Sequence, residues 1–216
     1  VIRAENLTKD YDHGLVQALK GVSLTLAPGE AVAVMGPSGC GKTTLLSILS
    51  SLEPASGGEV FIDGRPLAGY RPYAAFRAEW VGFIFQFHHL LPHLTLLENV
   101  MLPMDPRAPR NARRDKAALL LSRVGLADKL HSRPTRVSGG ERQRAAIARA
   151  LARDPKLIFA DEPTGSVDTD TGRAIMEFVI TEAKAAGVTL LVATHNPEVA
   201  ALADRIVRMR NGLIED

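Results

Sequence analysis

The run Gly36-Pro37-Ser38-Gly39-Cys40-Gly41-Lys42-Thr43-Thr44 stands between apolar Ala31-Val32-Ala33-Val34-Met35 and helix-like Leu45-Leu46-Ser47-Ile48-Leu49. A strand, a glycine loop and a helix in that order match the pattern G-x-x-x-x-G-K-[ST] in the context it requires. Glycines let successive backbone N–H groups turn inward, and the helix start behind them adds partial positive charge, so the stretch suits an anion. In such a loop the backbone of Gly36, Pro37, Ser38, Gly39, Cys40 and Gly41 would cradle phosphates. Lys42 would reach the β- and γ-phosphates, the Thr43 hydroxyl would ligate Mg²⁺, and Thr44 would add a hydroxyl near the α-phosphate. The motif predicts a nucleoside triphosphate site.

With 216 residues the chain is long enough for one large domain, or a core with a subdomain. Its 46% hydrophobic and 23% charged content describes a globular protein rather than a disordered one. A net charge of +2 gives no electrostatic case for nucleic acid, and none is expected as a partner. The single cysteine, Cys40, excludes an internal disulfide and a Cys-rich zinc site, in keeping with a reducing compartment. Its place in the phosphate loop admits an oxidation switch or simply a tolerated small residue. No apolar stretch approaches the ~20 residues that span a bilayer, and the start carries no signal-peptide pattern. If the protein works at a membrane, another chain must supply the span. The opening Val1 suggests a trimmed initiator residue.

Residues 1–35 read as β structure, with Ile2 and Ala4, then Val22, Leu24 and Leu26, alternating with their neighbours. Tyr11 is placed in a polar link, and Pro28-Gly29 makes the turn into the strand before the loop. Val60-Phe61-Ile62 and Trp80 to Phe85 are further strands. Residues 87–140 change character and read as an inserted helical subdomain, in which Ala117, Leu120, Leu121 and Val124 form one helical face, stopped by Gly125. The arginines of its link (Arg107, Arg110, Arg113, Arg114) read as a solvated or docking face. Helix resumes from Glu141 to about Arg153. Leu157 to Ala160 and Val188 to Ala193 are buried, parallel-type strands, and Ile175, Phe178, Val179 and Ala183 give the helix between them its apolar stripe. Asn196-Pro197 opens a helix, and Asn211-Gly212 turns a final hairpin. The expected fold is α/β: a nucleotide-binding core of mostly parallel sheet (1–86 and 141–216), carrying an N-terminal antiparallel β subdomain and the helical insertion.

Asp161 and Glu162 end a buried strand, where ligand sites of open α/β sheets form. In a P-loop enzyme the first acid holds Mg²⁺ against the Thr43 ligand, and the second can take a proton from an attacking water. Gln86 ends another strand and could meet the Mg²⁺ water shell with its amide. His195 ends a third on the same predicted edge. Val137-Ser138-Gly139-Gly140-Glu141, just ahead of a helix, makes a second anion-binding end with a hydroxyl and free N–H groups. A chain with one phosphate loop has no need of a second cradle in cis. A head-to-tail dimer, in which Ser138, Gly139 and Gly140 close on the partner's γ-phosphate, accounts for it.

These elements, in this order, resemble the nucleotide-binding subunit of an ATP-binding cassette (ABC) transporter along essentially the whole chain. The resemblance implies Walker A at residues 36–43, a Q-loop at Gln86, a signature at Ser138-Gly139-Gly140, Walker B with catalytic base at Asp161-Glu162, and a D-loop at Ser166-Val167-Asp168. It further implies that His195 is the switch histidine and that Tyr11 stacks on adenine. Val137 and Glu141 stand where leucine and glutamine are commonest. The segment Gly82 to Pro92, with Leu97 to Pro103, is similar to ATPases of the lipoprotein-release (LolD-like), macrolide-efflux (MacB-like) and cell-division (FtsE-like) group. That likeness implies ATP and Mg²⁺ as cofactors, ATP hydrolysis, and a location at the cytoplasmic membrane face. It also implies membrane permease subunits as partners, with transport or regulation of cell-wall enzymes as the output. His88 and His89 either belong to the permease-facing segment or pack against the helical subdomain, and neither is a metal ligand. The chain stops soon after His195, so no further regulatory domain is expected. A plain P-loop kinase would leave the signature glycines and His195 unexplained.

Overall fold

The structure, a computed structural model, describes residues 1–165 and 167–215. The chain opens with β1 (Ile2–Tyr11) and β2 (Val16–Leu26), an antiparallel pair. Then follow β3 (Ala31–Met35) and α1 (Lys42–Leu49), β4 (Gly57–Ile62) and β5 (Arg65–Pro66), and α2 (Tyr73–Trp80) running straight into β6 (Val81–Phe85). Three helices come next: α3 (Leu96–Met101), α4 (Arg110–Arg123) and α5 (Gly139–Ala150). The remainder is β7 (Leu157–Asp161), α6 (Thr169–Ala185), β8 (Thr189–Thr194), α7 (Pro197–Ala200), and the hairpin β9 (Arg205–Arg210) and β10 (Leu213–Glu215).

Two sheets result. The first has the order β2-β1-β4-β5 and is antiparallel throughout. The second has the order β10-β9-β3-β8-β7-β6, parallel except for β10. Successive side chains of its central strands point to opposite faces, and each face has its own core. Val32, Val34, Leu157, Phe159 and Leu191 pack with α1 and the first sheet. Ile84, Ile158, Ala160, Leu190 and Val192 pack with α3 to α6. The expected α/β architecture, with an antiparallel N-terminal sheet and a mostly parallel one, is what the chain adopts.

Several bounds differ from expectation, each for a local reason. Tyr11 is the last residue of β1, paired with Val16, rather than part of a link. Trp80 ends α2 instead of starting β6. The sequence gives little sign of α2, because Phe76 is its only buried residue. Helix α5 begins at Gly139, not Glu141, because Ser138 and Glu141 form a reciprocal capping box that draws both glycines into the first turn. It ends at Ala150 rather than Arg153. The α4 face lies as expected, with Ala117, Leu120 and Leu121 buried and Gly125 at φ 72 after the helix.

Candidate functional site

The loop between β3 and α1 is shaped by what surrounds it. A Cβ on Gly36 would run into the carbonyl oxygen of Met209 on β9 and lie 2.7 Å from the Cys40 sulfur. Gly41 has φ +106, and a Cβ there would lie 2.5 Å from the Ala18 carbonyl oxygen of β2. Only glycine fits these places. The hairpin turn closes the loop from outside: Gly212 N–H donates to the Cys40 carbonyl at 3.0 Å, and Lys20 N–H donates to the Gly212 carbonyl at 2.9 Å. Cys40 is 3% exposed and faces this packing, which shuts its thiol off from solvent reagents. Pro37, Ser38 and Gly39 form the exposed crest of the loop.

Lys42 is buried inside this curl. Its ammonium donates to the carbonyls of Gly36 (2.8 Å) and Pro37 (3.1 Å) and lies 3.8 Å from a Glu162 carboxylate oxygen. Thr43 Oγ1 donates to both oxygens of Asp161, at 3.1 and 2.9 Å, joining the start of α1 to the end of β7. Burial raises the Asp161 pKa and the Glu162 charge adds to the rise, against the hydrogen bond from Thr43 and the charge of Lys42. Its register opposite Phe85 and Ala193 brings Gln86, Glu162 and His195 to one sheet edge.

Glu162 follows with φ 44, a left-handed conformation uncommon for glutamate. Its N–H donates to the Ala193 carbonyl at 2.9 Å. One carboxylate oxygen lies 2.9 Å from His195 Nδ1 and accepts from the His195 backbone N–H at 3.4 Å. The other faces Lys42. One carboxylate thus stands between the phosphate-loop lysine and the histidine at the end of β8. Beside it opens a cleft of about 250 Å³ lined by Gln86, Glu162, Thr164, Asp168, His195 and Asn196, among others. The Gln86 side chain lies over Gly165, where a Cβ would sit 2.8 Å from its amide nitrogen.

Asp168 caps α6 by accepting from Thr171 N–H at 3.0 Å, and this bond holds its carboxyl below the usual range. Ser166 lies outside the described residues. At the start of α5, Ser138 Oγ accepts from Glu141 N–H at 3.2 Å, and Glu141 accepts from Ser138 N–H at 2.7 Å. The Ser138 N–H expected to be free is therefore engaged, because Glu141 is long enough to reach back to it. Gly140 packs under Thr171 of α6 and Val167. Among the described residues no hydrogen bond or ion pair joins Ser138, Gly139 or Gly140 to the loop of residues 36–44.

Tyr11 donates its phenol proton to Glu53 at 2.6 Å, with the Lys9 ammonium 5.0 Å from the ring centre. Burial raises its pKa and Glu53 adds to the rise, opposed by a hydrogen bond with Thr44. The ring is thereby tied to the start of α1. Sequence reasoning missed Glu53, which stands 42 positions from Tyr11 with no periodicity to link them. It read Asn196 only as a helix cap. That role holds, with its side chain accepting from Glu198 and Val199, but Asn196 also lines the cleft.

A hard divalent cation is suited by oxygen donors, and Mg²⁺ typically takes one or two carboxylates together with phosphates and water. The Thr43 hydroxyl, the Asp161 carboxylate and the Gln86 amide supply that chemistry. Among the described residues no group of three or more His, Cys, Asp or Glu is arranged to hold a metal, so a cation here would depend on phosphate oxygens as well.

The model of the family described as ABC transporter matches residues 19–165. The chain is 43% identical to the lipoprotein-releasing system ATP-binding protein LolD of Paramagnetospirillum magneticum, over 99% of this chain and 96% of that protein. It is 46% identical to the macrolide export ATP-binding/permease protein MacB of Rhodopirellula baltica, over 100% of this chain and 33% of that longer protein. Among solved structures it is similar to the ATP-binding cassette MJ0796 in a dimeric post-hydrolysis state with ADP and Pi. The TM-score is 0.91 at 37% identity, covering 100% of this chain and 97% of that one. Fold, loop geometry and likeness agree: the chain belongs to the ABC transporter family, as one of its ATP-binding cassettes.

Proposed function

We propose that the protein is the ATPase subunit of a transporter: two copies close head to tail around two ATP–Mg²⁺ and drive a separate membrane permease. The observation that carries the site assignment is the position of Glu162, held between Lys42 and His195 and adjoining the Thr43–Asp161 pair. Lys42 and the backbone N–H groups of Gly36, Ser38, Gly39, Cys40 and Gly41 bind phosphate, Thr44 lies near the α-phosphate, and Tyr11 presents its ring to adenine. Thr43, Asp161 and Gln86 would hold Mg²⁺, which when bound would offset the negative charge of the phosphate oxygens.

Glu162 accepts the proton of the attacking water, and His195 orients that carboxylate through Nδ1 and faces the γ-phosphate with the rest of its ring. Ser138, Gly139 and Gly140 complete the partner's site, with Asp168 beside the same cleft. In that closed form the γ-phosphate replaces Glu141 as the acceptor for the Ser138 N–H. Dimeric MJ0796 structures support the two-copy reading. The LolD and MacB names support a membrane partner in lipoprotein release or efflux. Among the described residues no helix is long and apolar enough to cross a membrane. The likeness to LolD and MacB supports a peripheral subunit at the cytoplasmic face, held by its permease.

The test is Glu162→Gln, which removes the proton acceptor while keeping an acceptor for His195. Turnover should fall by about 10²-fold or more with ATP binding retained. Unchanged turnover would remove Glu162 as the base.

A further inference from the structure

Arg149 lies in the last turn of α5, the helix whose first turn is Gly139 and Gly140. Its guanidinium is directed at the loop that leaves β6. One terminal nitrogen donates to the His89 carbonyl at 2.5 Å and the other to the His88 carbonyl at 2.7 Å. Burial lowers its pKa, and the partners facing the cation are these backbone carbonyls and the negative end of its own helix. The planar fork meets the two carbonyls with two separate nitrogens in a fixed geometry, which the single nitrogen of a lysine does not reproduce.

The acceptors are unusual too. His88 and His89 are consecutive non-glycine residues in left-handed conformation, φ 59 and 47, a costly backbone that persists only where its surroundings fix it. They stand two and three positions after Gln86. The same helix holds this segment elsewhere: the buried His88 ring hydrogen-bonds with the backbone of Gly139 and feels the charge of Arg142. The end of α5 is in turn seated on β6, since a Cβ on Gly82 would lie 2.5 Å from the Ala150 carbonyl oxygen. A helix of 12 residues, about 18 Å long, therefore carries the signature residues at one end and grips the Gln86 loop along its length.

We propose that Arg149 is a positioning residue that locks the loop after Gln86 to α5, so that Gln86 and Ser138-Gly139-Gly140 move as one body when the ATP site closes. This rests on the reading that Gln86 and the start of α5 serve that site. When the signature end of α5 engages nucleotide, the displacement is delivered to the Gln86 loop through two hydrogen bonds instead of being lost in a flexible turn.

The experiment is a double-mutant cycle of Arg149→Lys and Gln86→Ala on the full chain, reading kcat and KM for ATP, with thermal melts to establish folding. Folded Arg149→Lys should lower kcat about tenfold or more, with KM within about twofold. On the Gln86→Ala background the same change should have less than about twofold further effect, because both act through one loop. Additive losses, or an unchanged kcat in Arg149→Lys, would overturn the proposal. A Gln86→Ala variant with normal turnover would instead remove the reading beneath it. If Arg149→Lys fails to fold, hydrogen exchange of the wild-type chain decides. Added ATP–Mg²⁺ should protect the amides of residues 86–91 and of the last turns of α5 together, and independent responses would overturn the lock.

Discussion

Asp161 illustrates how single residues are set by their surroundings. Burial raises its pKa despite the Thr43 hydroxyl, so the folded chain binds this proton more readily than the unfolded one. For an acid shifted upward the sign is a penalty. Stability falls as pH rises from the unfolded value of 3.8 toward the raised one, and the full penalty persists above it. Asp161→Asn should therefore melt higher than wild type at pH 7. That gain should vanish below about pH 4. Turnover should drop by about 10²-fold at the same time, which separates the role in the site from the role in the fold. Calorimetry across pH together with an ATPase assay checks both. Asp161, Glu162, Lys42 and Thr43 were legible in the sequence because spacing and the strand end fixed their places. Glu53 beneath Tyr11 was not, since a contact between the end of a strand and a loop residue 42 positions away leaves no local pattern.

At the scale of elements, the central strands and α4, α6 and the last hairpin announced themselves by periodicity and by their glycines. The less visible elements were those whose making depends on a cap or on a neighbour. Helix α2 buries one side chain only, and α3 is a six-residue helix whose start is set by Thr95 and Glu98 in a capping box. Helix α5 gains its first turn in the same way, through Ser138 and Glu141. Ser138→Ala removes the acceptor for Glu141 N–H and should cost about 1 kcal/mol of stability, seen as a shift of the denaturation midpoint at unchanged slope. The same chemistry explains why the start of α5 was read as open when its N–H is engaged. The acidic residue three positions on, Glu141, reaches back and accepts from that group.

For the whole molecule, two sheets share a core through α1 and the inner face of β3, β7 and β8, while α3 to α6 cover the other face. The phosphate loop lies between them, bounded by β2 and the β9–β10 turn. The loop of residues 36–44, with Asp161 and Glu162 against it, is thus assembled within one chain, whereas the start of α5 makes no hydrogen bond or ion pair with the loop among the described residues. The central claim is that a second copy supplies the missing half. Sedimentation velocity of Glu162→Gln, with and without Ser138→Arg, tests it at saturating ATP and Mg²⁺. Glu162→Gln alone should sediment with twice the mass of one chain, and adding Ser138→Arg should return it to a monomer that still binds ATP. A monomer in both cases, or a dimer indifferent to Ser138→Arg, would contradict the account.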